Sequence, residues 1–370
     1  MQEWKEMERK HTRRLLTLLI ILLFLSISVI APGTTGVQTQ KNTAPDPEIV
    51  IDISPVTTTI QDAINSAQPN STIQLPAGTF TELLTINKPL HLKGDGATRT
   101  FLSPTSANNG YALRIIAKGV TLSDLDITNK GPGLYTTCVK ISASNTTIQN
   151  CTFHDTPIGI AIWNSENTIS GCKFSGCDDE GIVLLGTSTT ACTNNTIISC
   201  NFYENCDGIE LQYATDNTVE YCTFAQNTHA GIDAIESNNN NNIISDCKFT
   251  DNQAFGLYLA GSSHNLITQC SFSDDTVTFV QASDNTLLRT QVAHINLMED
   301  SSLLIEQCED IIPSNIISQQ SSFEIRTDQS EQISQEKNSH TTVYHPLLLS
   351  LLSRFKILKS LYEQLRQSRM

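Results

Sequence analysis

Asn195-Thr196-Ile197-Ile198-Ser199-Cys200-Asn201-Phe202, then Gly208-Ile209-Glu210-Leu211, then Asn217-Thr218-Val219-Glu220-Tyr221-Cys222-Thr223-Phe224: this stretch decides the fold. The Asn-Thr-Ile-x-x-Cys-x-Phe pattern recurs with small variations from Thr146 to Phe153, Asn167 to Phe174, Asn242 to Phe249 and Asn265 to Phe272, and it weakens from Asn285 to Val292. The Cys positions 151, 172, 200, 222, 247 and 270 are 21, 28, 22, 25 and 23 residues apart; Thr290 and Cys308 continue the series. Between them falls a second motif, beginning at Gly159-Ile160, Gly181-Ile182, Gly208-Ile209, Gly231-Ile232 and Gly256-Leu257. Each segment alternates apolar and variable residues, the period of a strand. A repeat of this length is too short for a strand, a crossover helix and a second parallel strand. Strands that return to the same place in every repeat must stack in parallel, ~4.8 Å apart. The pattern therefore predicts an all-β, single-stranded right-handed parallel β-helix over residues 55–325, with ladders of Ile, Cys and Phe inside. The repeated Asn before each strand is expected to take left-handed geometry and to hydrogen-bond its stacked neighbour.

A solenoid needs closed ends. Apolar residues at 60, 63, 64 and 67 lie on one side of a short helix that can cap the N-terminal opening. Residues 37–54 read as a linker and 326–344 as a polar linker. Residues 345–370 carry Leu348, Leu351, Leu352, Phe355, Leu358, Leu361, Tyr362 and Leu365 on one helical side, with bases opposite. This C-terminal amphipathic helix fits either an anionic membrane surface or packing against the end of the solenoid. At the other terminus, Lys10, Arg13 and Arg14 precede an apolar run from Leu15 to Ile30. Residues 1–36 therefore read as a signal peptide or a retained anchor, and either puts the body outside the cytoplasm, secreted or membrane-anchored. Of the net charge of −15, residues 1–14 carry +2 and residues 345–370 carry +4, which leaves −21 on the body. So acidic a surface excludes nucleic acid as a partner.

Thr59-Ile60-Gln61-Asp62-Ala63-Ile64, Ala77-Gly78-Thr79-Phe80-Thr81-Glu82 and Ile86 to Gly94 resemble the opening of pectin-lyase-like β-helix proteins. The later Asn-Thr-Ile and Gly-Ile repeats are similar to those of NosD-like periplasmic and surface proteins. The resemblance implies the fold over about residues 55–325. It leaves function open, because that fold hosts lyases, hydrolases, esterases, epimerases, adhesins and accessory proteins. The signatures of pectin methylesterases and mannuronan epimerases are absent. Asp178-Asp179 is similar to the acid pair of polygalacturonases, but their Gly-His-Gly and Arg-x-Lys segments are missing. Pectate lyases need an Arg base, and the coil region has few Arg residues. NosD is tied to copper-enzyme maturation, yet no copper-site spacing carries across.

Chemistry can gather at one place. The residue two after each motif glycine faces outward, which stacks Ala161, Val183, Glu210, Asp233 and Tyr258, with Trp163, Leu185, Gln212, Ile235 and Ala260 beside them. Glu210 and Asp233 become neighbours ~5 Å apart, a spacing that suits an acid–base pair and retaining glycoside cleavage. Asp178, Asp179, Asp207 and His229 lie in the turns leading in, and Trp163, Tyr213 and Tyr258 offer platforms for sugar rings. The plain alternative is that acidic residues on an outer face simply keep it soluble. No cofactor is expected; Ca²⁺ is compatible with so many carboxylates, but no recognised loop supports it. Most of the eleven cysteines are expected as free buried thiols, Cys177–Cys206 being the best candidate for a bridge. Asn70, Asn145, Asn150 and Asn194 begin glycosylation sequons, and His154-Asp155 reads as an ordinary turn. The sequence thus points to an exported β-helix that binds, and with Glu210 and Asp233 could process, an extracellular polysaccharide or cell-surface glycan. The alternative is a structural, adhesion or accessory protein without enzymatic activity.

Overall fold

The computed structural model describes residues 50–52, 59–235, 238–311, 316–326 and 332–336. They form a parallel β-solenoid of about 11 turns with one short helix, as the repeat predicts. Each regular coil crosses three faces. On the first, Thr147–Gln149, Thr168–Ser170, Thr196–Ile198 and Thr218–Glu220 stack in register. On the second, Thr152–His154, Lys173–Ser175, Asn201–Tyr203 and Thr223–Ala225 do the same. The third holds the Gly-Ile strands, from Ile158–Ile162 through Glu180–Leu185, Asp207–Gln212 and Ala230–Ala234 to Phe255–Ala260.

The corners explain why the chain turns where it does. Each carries a residue with positive φ: Asn194 (55°), Ser199 (54°) and Glu204 (55°) in one coil, Asp216 (56°), Tyr221 (53°) and Gln226 (55°) in the next. At the first corner this is the residue before the ladder Asn, a departure from the expectation that the ladder Asn itself turns left-handed. The reason is chemical. Each ladder Asn points its amide along the stack: Asn195 donates from Nδ2 to Asn217 Oδ1 at 3.0 Å, and Asn217 donates to Asn242 Oδ1 at 3.1 Å. The same oxygens accept the backbone N–H of the preceding coil. Asn205, Asn227 and Asn252 repeat this arrangement, ending on Asp275.

Inside, Phe153, Phe174, Phe202, Phe224, Phe249 and Phe272 form one stack with ring centroids 4.3–4.9 Å apart and planes within 9° of parallel. Each such pair contributes roughly 0.5–1.5 kcal/mol beyond its buried area. The Cys ladder holds free thiols, and Cys177 is free as well, so the expected Cys177–Cys206 bridge is not formed. Residues at equivalent places on parallel strands point the same way, which opposes the disulfide torsion. Burial pushes the Cys138 and Cys177 thiols up, and that of Cys192 up to about 12.

Helix α1 (Ile60–Ser66) buries Ile60, Ala63 and Ile64 at the start of the core. Gln61 accepts from Thr85 N and donates to Thr85 O, so its amide takes the place of a missing coil beside strand Leu84–Ile86. At the other end, within the stretch read as a polar linker, Gln332–Glu336 pairs antiparallel with Ser322–Arg326. The apolar run from Leu15 to Ile30 and the helix expected over 345–370 lie outside the described residues. No described helix is long and apolar enough to cross a membrane.

Candidate functional site

The geometry of the third face starts from its glycines. A Cβ on Gly181 would lie 2.8 Å from Phe202 Cδ1, and one on Gly208 would lie 2.6 Å from Phe224 Cδ1. The Phe stack therefore leaves room for glycine alone, and Gly and the following Ile both turn toward the core. Strict alternation is broken there, so two outward columns result instead of one. The first holds Ile158, Glu180, Asp207, Ala230 and Phe255; the second holds Ala161, Val183, Glu210, Asp233 and Tyr258. Ile158, Ala161 and Val183 cluster apart from the core, which confirms that they lie on its far side.

Glu210 and Asp233 are register partners, as expected. Three of the other expected residues converge with them. His229 Nδ1 lies 2.7 Å from Asp207 Oδ1 and 3.5 Å from Asp233 Oδ2. Asp207 Oδ1 also accepts from Ala230 N at 2.9 Å, Glu210 accepts from Gln212 Nε2, and Phe255 meets His229 edge to face at 5.6 Å. Tyr258 stands next in the column, with Phe255 4.8 Å from its ring. All five of Asp207, Glu210, His229, Asp233 and Tyr258 are at most 1% exposed. The reading of these acids as a solvated, solubilising face is therefore wrong: they are enclosed.

Trp163 and Asp179 lie toward the N-terminal end, where they line a groove of about 500 Å³ with Tyr111, Tyr135, Leu185 and Gln212. Trp163 and Tyr135 are exposed, at 47% and 58%. Asp178 is exposed beside the groove, and Tyr213 leaves the site altogether, held at a corner with φ 48°. Sequence reasoning placed Gln212 on this face, as found, but missed Glu180, Tyr111, Tyr135 and Lys140. The ammonium of Lys140 sits 4.8 Å over the Tyr111 ring and 4.5 Å over that of Trp163, and donates to the Tyr111 hydroxyl at 3.1 Å. A signal for Lys140 existed: Cys138-Val139-Lys140-Ile141 aligns with Gly159-Ile160-Ala161-Ile162, with Cys138 in the glycine place. Elsewhere, His154 bridges Asp155 and Asp126 at 2.9 Å each. Its burial opposes protonation, but the two carboxylates outweigh it and hold its pKa above the usual value.

Asp207, His229 and Asp233 bring three ligand atoms within 4.8 Å of one another. One imidazole and two carboxylates suit Cu²⁺ or Zn²⁺; Cu⁺ prefers thiolate and thioether sulfur. The ladder thiols stay in the core, away from this cluster.

A family model described as "Periplasmic copper-binding protein (NosD)" matches residues 96–301. The chain belongs to the NosD family. That description does not fit the expectation that no metal is involved. No curated protein matches this NosD-family chain significantly. Among solved structures, the catalytic domain of a GH87 alpha-1,3-glucanase in complex with tetrasaccharides is 14% identical, with a TM-score of 0.52 over 81% of this chain and 71% of that one. An alginate lyase from Paenibacillus is 16% identical, with a TM-score of 0.49 over 74% of this chain and 98% of that one. PfbA, a surface adhesin of Streptococcus pneumoniae, is 11% identical, with a TM-score of 0.47 over 72% and 84%. At these identities the likeness is one of fold, the pectin-lyase-like right-handed β-helix.

Proposed function

We propose that this NosD-family solenoid works outside the cytoplasm and binds an extracellular polysaccharide along its third face. The observation that carries the reading is the groove in which the exposed Trp163 and Tyr135 rings and Tyr111 stand beside polar Asp179 and Gln212. Aromatic faces stack on the apolar faces of sugars, and a few polar groups then fix the orientation. The periplasmic description of the family and the carbohydrate-bound glucanase of like fold agree with it. Any cleavage would fall to Glu210 and Asp233, stacked on adjacent coils of the same face, and would require their enclosure to open and admit the glycosidic bond.

The test is a panel of polysaccharides incubated with the intact chain, read for binding, for new reducing ends and for unsaturated uronate. Trp163→Ala is expected to weaken binding about tenfold, roughly 1.4 kcal/mol. Turnover, if detected, should vanish in Glu210→Gln and Asp233→Asn with binding kept. A protein that binds no glycan, or binds equally well without the Trp163 ring, would sink this reading.

A second reading follows from the Asp207–His229–Asp233 cluster and the copper-binding description of the family: these residues hold a divalent cation. Bound there, the ion would supply a Lewis-acid or stored-metal centre. Titration with Cu²⁺ and Zn²⁺ should show one site that Asp233→Asn weakens, and chelation should lower the unfolding temperature of the loaded protein. Absence of binding in calorimetry, or binding untouched by Asp233→Asn, would remove it.

A further inference from the structure

Building on the glycan reading of the groove, we infer that its polymer carries an oxyanion, a uronate carboxylate or a sulfate ester, on the unit held at the N-terminal end. The unit that follows it along the groove is neutral. Arg114 and Lys140 together are the anion subsite.

The second outward column of the third face continues toward the N-terminus beyond Ala161. Lys140 is the register partner of Ala161, and Arg114 is the register partner of Lys140. Two cations therefore stand on neighbouring coils, about 4.8 Å apart along the stack, on a body whose net charge is −21. Side by side they repel each other, a cost that an oxyanion between them removes. No carboxylate of the protein does so. Among the described residues the Arg and Lys ion pairs are Arg99–Asp95 and Arg326–Glu324, and neither Arg114 nor Lys140 joins one.

Lys140 is also held in place. Its ammonium lies over the Tyr111 and Trp163 rings and donates to the Tyr111 hydroxyl. Contact with ring faces positions a long side chain and leaves its charge intact. An ammonium has three donors, and Tyr111 takes one of them. Both rings line the groove, so a sugar seated at Tyr111 brings its substituent to a positioned cation. One coil back, the exposed Arg114 offers the planar fork that grips an oxyanion through two parallel hydrogen bonds.

The remaining lining confines this preference to one end. Past Lys140 the groove runs over Ile158, Ala161, Val183 and Leu185 to Asp179, Glu180 and Gln212, and no Lys, Arg or His is among its lining residues. An oxyanion on the next unit would lose water against those apolar side chains and gain no cation, which is costly. A polymer whose acidic units are separated by neutral ones meets both demands. One with a carboxylate on every unit does not.

Four polymers test this on the intact chain by titration calorimetry. Hyaluronan alternates an acidic with a neutral sugar, and its carboxyl-reduced form is neutral throughout. Carboxyl-reduced chondroitin sulfate keeps sulfate alone, and polygalacturonate is acidic at every unit. Hyaluronan, the sulfate-only polymer or both should bind at least about tenfold more tightly than the neutral form; which of them does so names the oxyanion. Polygalacturonate should bind more weakly than the tighter of the two. Lys140→Gln and Arg114→Gln should each bring binding of the charged polymer down toward that of the neutral one. The Arg114 variant keeps the ring contacts of Lys140, so it reads charge without disturbing the platform. A charge preference that survives both variants would overturn the inference, as would polygalacturonate binding as tightly as hyaluronan. Equal binding of charged and neutral forms, all weakened by Trp163→Ala, would overturn it and leave the glycan reading standing. Binding of no polymer at all would remove both.

Discussion

Asp275 ends a ladder of amides that begins at Asn205, and it is the member that carries a charge. Burial pushes its carboxyl up to about 6, against the opposing effect of the hydrogen bonds from Asn252. A folded pKa above the unfolded value means the native state holds the proton more tightly. The stability this supplies is complete below about pH 4 and is lost as pH rises through about 6. Asp275→Asn should match the wild type near pH 4 and unfold roughly 2 °C higher at pH 7.5. A variant no more stable than the wild type at pH 7.5 would refute the assignment. Residue by residue, the sequence announced Glu210, Asp233, Asp207 and His229 because they sit at fixed offsets from a repeated glycine. It hid their enclosure, since nothing in the spacing says what lies above a face. Tyr213 was misplaced because the left-handed corner that removes it is invisible in the alternation of the strand before it, and Tyr111 and Tyr135 lie where the repeat is too irregular to align.

Among the elements, the cap shows how one side chain can hold an end closed. The Glu82 carboxylate accepts from Ile60 N at 2.9 Å and Gln61 N at 3.1 Å, and Thr59 Oγ1 accepts from Asp62 N. Those are the N–H groups a helix start leaves without partners. Glu82→Ala should cost about 1 kcal/mol and should speed amide exchange in residues 60–66 and in strand Leu84–Ile86, which Gln61 pins. Unchanged exchange in Leu84–Ile86 would mean that the helix is not what guards that strand. The helix itself was legible from its apolar spacing; its second cap was not, because Glu82 comes from the next coil. Strand Gln332–Glu336 was illegible for a related reason. Its polar sequence shows no apolar alternation, and the strand is recognised only by its pairing with Ser322–Arg326.

Over the whole molecule, long-range order comes from repetition: every coil is built on the one before, so the fold could be read from six or seven copies of one pattern. Each coil also contributes the same cost when interrupted, and a defect in the middle separates two stacks that must then stand alone. The ladder of cysteines gives this arrangement a consequence in time. Among described residues ten of the eleven thiols are buried and Cys308 is half-buried, so a thiol reagent should modify about one per native molecule and all of them after denaturation. Reaction of several thiols under native conditions would contradict the ladder. A newly made chain in oxidising surroundings therefore faces a race. In such surroundings, coils that close before oxidation reaches them would keep their sulfur unreacted, while a chain stalled half-wound would offer a row of mispairing partners, so the speed of winding would bear on the yield of native protein as much as final stability does.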